Sequence, residues 1–222
     1  MTQEIIVVSG FKRSGTSLMM HIVQQLGIPL FFDTDYEQFL KEHLPDTSNA
    51  YYYEHPAIVG VFDVKPDDLR QLQGFAVKAF IFALMQWPDN LDIPIKIILM
   101  KRDLNDVIQS MQKYKEHPDW AQFLRNKERA GYRVSRENLE EEIQRLSEFS
   151  YEKARQKFEA REKNAIHEVE FSQLLYNPFT TVKGVAEFLS IDVKDDSIEK
   201  IIRNNIRNIE STTDTDIVLS SA

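Results

Sequence analysis

The 222-residue chain contains no cysteine, which excludes disulfide scaffolds, thiolate metal sites and cysteine nucleophiles at once. It also lacks an apolar run of bilayer length. Its most apolar stretches, Phe75–Met85 and Ile93–Met100, are broken by Lys78, Pro94 and Lys96 and are too short to span a membrane. Cations are in the minority, with 27 Lys and Arg against 35 Asp and Glu and a formal net charge of −8. Such a surface is ill suited to DNA or a heavily sulfated glycan, because binding a large polyanion rests on many surface cations. A local basic pocket for one small anion remains compatible with it. The first strand begins a few residues after Met1, which leaves no room for a signal peptide. The expectation is a soluble, cytoplasmic protein without nucleic-acid or membrane partners.

A further absence is local. Residues 5–17 read as a short buried strand, Ile5 to Val8, a turn framed by Gly10 and Gly15, and a helix start at Thr16. Together these make an anion cradle, since the turn amides converge and the helix dipole favours negative charge. The triphosphate-binding form G-x-x-x-x-G-K-[ST] carries a Lys after its second Gly. Here Thr16 stands in that place and the cations come earlier, at Lys12 and Arg13. The loop therefore suits an anion of a different shape from the tail of ATP.

Downstream, strand and helix signals alternate, as in a parallel sheet covered on both faces. The patterning predicts strands at Ile5–Ser9, Ile28–Phe32, Phe75–Phe80, Ile95–Lys101 and Ala165–Phe171. It predicts helices at Thr16–Leu26, Ala57–Phe62, Pro66–Leu72, Leu104–Lys115, Pro178–Leu189 and Ser197–Ile206. Gly27 sits where a helix C-cap belongs, and Asp103 where an N-cap does, with Asp106 in the first turn. Asp33–Glu54 is polar and aromatic and includes Tyr51, Tyr52 and Tyr53. Residues 116–163 are dominated by charge, with Leu139, Ile143, Leu146, Phe149, Tyr151 and Phe158 at loosely helical spacing. They read as a helical insertion, either a solvated hairpin or a lid over an acceptor. Glu210–Ala222 reads as a partly loose tail. The fold class is α/β: a three-layer P-loop-type parallel sheet flanked by helices, in one domain over residues 1–222 with that charged insertion.

A second constellation lies where strand Ile95–Lys101 ends in Lys101, Arg102 and Asp103, with Ser110 eight residues after Arg102. Ligands of such sheets bind beyond the carboxyl ends of the strands, so Arg102 emerges on the same rim as the loop. It could share an anion with the Ser110 hydroxyl, or merely pair with Asp103 or Asp106. An ATPase would more often carry an acid at that rim to hold Mg²⁺.

The two segments together resemble the sulfotransferase family, which transfers a sulfuryl group from 3′-phosphoadenosine 5′-phosphosulfate (PAPS). The first family signature reads here Lys12-Arg13-Ser14-Gly15-Thr16-Ser17, similar to the Arg-Ser-Gly-Thr form of tyrosylprotein and many bacterial members. The second reads Arg102-Asp103-Leu104-Asn105-Asp106-Val107 through Ser110. A third, weaker likeness runs from Val169-Glu170-Phe171 through Leu174, Pro178 and Phe188-Leu189.

The resemblance implies that Lys12, Arg13, Ser14, Gly15, Thr16 and Ser17 hold the 5′-phosphosulfate, and that Arg102 and Ser110 hold the 3′-phosphate. It implies no metal. Lys78 interrupts an otherwise apolar strand, and buried Lys is rare without a partner. Family members place a Lys near the transferring group, followed by Thr-His or Asp-Pro; this chain departs from both with Ala79-Phe80. A base is still needed. Glu54, in a stretch similar to the Tyr-Tyr-Glu-x-Pro of bacterial members, is the first candidate and His55 the second; a surface turn before a helix would equally explain both. His21 reads as a packed core histidine. Phe31, Phe32, Trp87 and the tyrosines could line an acceptor pocket or belong to the core. The activity so implied is sulfuryl transfer from PAPS to a hydroxyl, or an amine, of a small-molecule or carbohydrate acceptor, with Lys78, Arg13 and Glu54 or His55 in catalytic roles. The alternatives are a small P-loop kinase and a non-catalytic nucleotide-binding relative.

Overall fold

The structure, a computed structural model, describes residues 4–43, 51–60, 64–112 and 139–205. Its centre is a five-stranded parallel sheet in the order β2-β3-β1-β4-β5. The strands are β1 (Ile5–Gly10), β2 (Leu30–Phe31), β3 (Ala76–Phe80), β4 (Ile95–Lys101) and β5 (Ala165–Glu170). The described helices are α1 (Thr16–Gln25), α2 (Thr34–His43), α3 (Pro66–Arg70), α4 (Ile81–Leu84), α5 (Leu104–Gln112), α6 (Leu139–Glu159), α7 (Phe171–Tyr176), α8 (Pro178–Phe188) and α9 (Asp195–Asn205).

The apolar run at the start of β1 reflects a strand buried on both faces. Ile5 and Val7 enter one core with Leu69, Leu84, Trp87 and Phe158, below α3, α4 and α6. Ile6 and Val8 enter the other with Met19, Ile22, Val182 and Ile198, below α1, α8 and α9. The three-layer α/β architecture expected from the alternating pattern is therefore observed. Among the described residues, no helix is long and apolar enough to cross a membrane.

Element ends differ from the sequence reading for local reasons. β2 contracts to two residues because Pro29 offers only its carbonyl, which accepts the Ala76 amide at 2.8 Å. Over 57–60 there is a single turn instead of a helix, with the Ile58 and Val59 amides both donating to His55 O at 2.9 Å. Residues 61–63, 113–138 and 206–222 of the remaining expectations lie outside the described residues. Gly27 does end α1 as a left-handed residue at φ 92°, its amide on Gln24 O and that of Ile28 on Val23 O.

The described part of the charged insertion is not solvated filler. α6 buries Ala154 and Phe158 completely and packs on α4, α5 and β5. Spacings of three and four bring Tyr151, Ala154 and Phe158 onto one stripe, and one stripe suffices to dock a helix whose other faces are charged. Phe158→Ala is expected to lower stability by about 3–5 kcal/mol, the range for a buried Phe truncation, as read by urea unfolding. A loss below about 1 kcal/mol would mean that α6 is not part of the core.

Candidate functional site

Strand register gathers the site. Gly10 lies beside Phe80 on β3 and Met100 on β4, and Lys101 lies beside Glu170 on β5. The carboxyl ends of four strands thus share one rim, where a parallel sheet binds its ligands.

The turn between β1 and α1 is tightly built. A Cβ on Gly10 would stand 2.4 Å from Ser14 Oγ and 2.6 Å from Met100 O. Gly15 is left-handed at φ 90°, and a Cβ there would meet the Phe171 ring at 2.4 Å. Arg13 is left-handed as well, at φ 74°, a conformation that a side-chain-bearing residue holds only when its surroundings impose it. The Ser14 amide and hydroxyl both donate to Phe11 O, at 3.1 and 2.7 Å, so Ser14 closes the turn and its side chain faces inward. No side chain caps α1 at Gly15. The first amides of a helix have no partner within the helix itself, and an end without a side-chain cap is one that can take an anion.

Three residues expected at the anion site, Arg13, Arg102 and Ser110, meet in an altered arrangement. Arg13 Nε donates to Ser110 Oγ at 2.9 Å, so the hydroxyl expected to serve Arg102 is contacted by Arg13. An Arg102 terminal nitrogen donates to Arg13 O at 3.2 Å, and its guanidinium lies 4.7 Å from the Phe171 ring centre. Its Nε is buried without a hydrogen-bond partner, 3.6 Å from the Asp106 carboxylate. Burial pushes the Arg102 pKa down, opposed by Asp106. Asp103 is otherwise engaged, its Oδ1 accepting the amides of Asn105 and Asp106 as the α5 cap. Lys12 and Lys78 approach one partly exposed ring, with Nζ 5.8 and 5.3 Å from the centre of Phe80.

The buried lysine has its partners. Lys78 is 3% exposed, and its Nζ donates to Glu54 Oε1 at 2.7 Å, Tyr52 O at 3.0 Å and Ser17 Oγ at 3.0 Å. Three donors meet three acceptors, which is what an ammonium needs away from water. Two residues singled out independently in the sequence are thus one ion pair, joined to the second residue of α1. Thr16 beside it is also buried. His55 is engaged elsewhere: its ring lies 4.9 Å from that of Phe31, and its Nδ1 accepts the Ala57 amide at 3.3 Å. His21 is half-buried in a polar chain, with Nδ1 2.6 Å from Tyr53 Oη and Nε2 3.1 Å from Gln25 Nε2. Trp87 is core. Tyr51, Tyr53 and Phe32 line an open groove of about 380 Å³ with His21 and Glu37.

Sequence reasoning missed two polar residues. Tyr151 of α6 accepts the Phe11 amide at 3.3 Å and donates to Met100 O at 2.9 Å. It ties the insertion to the phosphate loop and to β4 through one hydroxyl. The signal was present as a phenol on the apolar stripe of a charged helix. Glu37 of α2, also buried, accepts backbone amides of the segment that carries Glu54.

A family model described as a sulfotransferase domain matches residues 3–215. No curated protein sequence matches the chain. Among solved structures, the mouse sulfotransferase SULT7A1 complexed with PAP is 14% identical with a TM-score of 0.45, over 92% of this chain and 64% of that one. A sulfotransferase from Alicyclobacillus acidocaldarius is 14% identical with a TM-score of 0.46, over 95% of this chain and 94% of that one. The sulfotransferase domain from the curacin biosynthetic pathway is 11% identical with a TM-score of 0.48, over 87% and 76% respectively. The chain thus spans less than two thirds of the length of the mouse structure.

Burial pushes the Tyr151 phenol up from 10.0 to about 12, the Phe11 amide pulling the other way. A group whose pKa is raised by folding contributes stability that is complete below pH 10 and lost as pH climbs toward 12. Tyr151→Phe is expected to cost about 1–3 kcal/mol at neutral pH, since it leaves a buried amide and carbonyl short of a partner. Its denaturation midpoint should also fall less than that of the wild type between pH 10 and 12. Equal slopes would remove Tyr151 from the alkaline transition.

Proposed function

This chain belongs to the sulfotransferase family, and from that membership we propose that it transfers a sulfuryl group from PAPS to a hydroxyl, or an amine, of a small-molecule or carbohydrate acceptor. The observation that carries the reading is the buried Lys78–Glu54 pair bound to Ser17 beside an uncapped helix N-terminus. PAPS, when bound, supplies the sulfuryl group and a phosphate that gains negative charge as it leaves. Two features fit such a donor: the open first turn of α1 and the buried Nε of Arg102, which has no hydrogen bond although Asp106 stands 3.6 Å away.

In this reading the amides around Gly15, Thr16 and Ser17, with Arg13 and Lys12, hold the 5′-phosphosulfate. Ser14 shapes the turn instead of binding through its hydroxyl. Arg102 and Ser110 serve the 3′-phosphate, with Arg13 bridging them through its carbonyl and its Nε. Lys78 offers fixed positive charge where charge develops, and needs little reorganisation because its three contacts already orient it. Glu54 is the base: Lys78 holds Oε1, while Oε2 takes the acceptor proton. The contacts of His55 with Phe31 and the Ala57 amide favour Glu54 over it for this role.

Binding to the native state alone raises stability, by about 2.7 kcal/mol at a hundredfold excess over Kd. Thermal stabilisation by 3′,5′-adenosine bisphosphate is therefore expected to exceed that by ATP with Mg²⁺; an equal or reversed order would favour a P-loop kinase. Arg102→Ala should weaken bisphosphate binding by about 1.5–3 kcal/mol, the range for a charged hydrogen bond, in a calorimetric titration. Glu54→Gln should abolish sulfuryl transfer yet keep bisphosphate binding, and an active Glu54→Gln variant would return the role of base to another group.

A further inference from the structure

The segment Tyr51–Glu54 has no regular secondary structure, yet charged partners on both sides fix its backbone. The two carboxylate oxygens of Glu37 accept the consecutive amides of Tyr52 and Tyr53, at 2.7 Å each. Glu37 is only 5% exposed, and a carboxylate so buried is tolerable because it is bonded in this way. The peptide joining Tyr52 to Tyr53 is trans, so its carbonyl points away from its N–H. That carbonyl is the one that accepts Lys78 Nζ at 3.0 Å. A single peptide unit therefore stands between a buried carboxylate and a buried ammonium, each bonded to one end of it. Glu54 follows at once, and Tyr53 between them is left-handed at φ 54°.

The position of Glu37 is itself fixed by local sequence. Asp33 Oδ1 accepts the amides of Asp35 and Tyr36 at 2.9 and 2.8 Å, opening α2 one turn before Glu37. The Asp33 amide donates to Glu54 O at 3.1 Å, and the Glu37 amide to Asp33 O at 2.9 Å. Lys41, one turn on, comes within 3.8 Å of the Glu37 carboxylate. Among the described residues, Glu37 itself contacts neither the turn 10–17 nor Arg102 or Ser110, although the Tyr52 carbonyl also lies 3.5 Å from the Ser17 hydroxyl.

We propose that Glu37 is a positioning residue for the Lys78–Glu54 pair. It clamps the Tyr52–Tyr53 peptide so that the Tyr52 carbonyl and the Glu54 carboxylate present themselves to Lys78, which keeps Nζ directed at Ser17. The proposal rests on the sulfuryl-transfer reading of Lys78 and Glu54. The clamp acts on rate more than on donor affinity, because Glu37 reaches the donor loop only indirectly, through the Tyr52 carbonyl and Lys78 at the single hydroxyl of Ser17.

The test compares wild type with Glu37→Gln, whose amide NH₂ cannot accept a backbone N–H. Three readouts serve: release of sulfate from PAPS with water as acceptor, calorimetric binding of 3′,5′-adenosine bisphosphate, and trinitrobenzenesulfonate labelling of Lys78 mapped by mass spectrometry. The expected result is a fall in kcat of about tenfold or more, with KM for PAPS and bisphosphate affinity within about twofold of wild type. Lys78, protected in the wild type, should become labelled. Glu37→Asp, which keeps the charge but is too short to reach both amides, should shift the same readouts less. Unchanged kcat and labelling, or a loss confined to KM, would overturn the proposal. Should both variants fail to fold, amide exchange in the wild type decides it: the Tyr52 and Tyr53 amides should exchange at least tenfold more slowly than those of the neighbouring turn 56–60, and equal rates would overturn the clamp. If the wild type neither binds bisphosphate nor releases sulfate, the sulfuryl-transfer reading fails, while Lys78 labelling and amide exchange still judge the clamp.

Discussion

A lysine ammonium taken out of water must find an acceptor for each of its three protons, and the rim of this sheet is organised around that demand. Lys78 leaves β3 on the face covered by α1, and its three acceptors come from two other places in the chain. Ser17 is supplied by the helix after the phosphate loop, and Glu54 and the Tyr52 carbonyl by the segment before β3. Removing any one would leave a buried charge short of a partner, a cost of several kcal/mol. The three segments are therefore bound to one another through a single nitrogen. The same arrangement keeps a cation close to the N-terminus of α1.

The loop itself is braced both by its own Ser14 and by groups from other elements. Tyr151 reaches from α6 to the Phe11 amide and the Met100 carbonyl, while Ser14 spends its hydroxyl on Phe11. Arg102 and Ser110 meet the loop through Arg13. Tyr151 and the Ser14 hydroxyl thus shape the turn without a place among the groups proposed to touch an anion, whereas Arg13, Arg102 and Ser110 belong to both sets. This bracing is how a short turn containing two glycines keeps one conformation.

The parts of the site encoded in short spacing were legible in the sequence. The strand–turn–helix of residues 5–17, the Arg102–Ser110 interval and the capping Asp103 all rest on contacts between near neighbours. Lys78 announced itself as a charge in an apolar strand, and Glu54 as an acid beside a proline-bounded turn. That they are partners did not show, because the pairing depends on how the 51–60 segment folds back along β3. The exchange of Ser110 from Arg102 to Arg13 depends on the register between β1 and β4, which one-dimensional spacing does not carry. The helical character of α6 was legible but its docking was concealed by composition: its charges outnumber its apolar residues, although Tyr151, Ala154 and Phe158 form a stripe that packs against the sheet and α4. Glu37 was hidden in a polar helix for a similar reason, since burial of an acid is decided by which amides lie nearby.

The ring of Phe171 touches two things at once: it closes over Gly15 and carries the guanidinium of Arg102. Phe171 is also the first residue of α7, directly after the last strand of the sheet. An anion site whose backbone lies at the start of the chain is therefore completed by a residue from its final third. The turn and Arg102 follow β1 and β4, and the ring that contacts both is added only after β5. Truncation of the chain before Phe171 would therefore strip the turn of its cover even though every residue of the turn itself was kept.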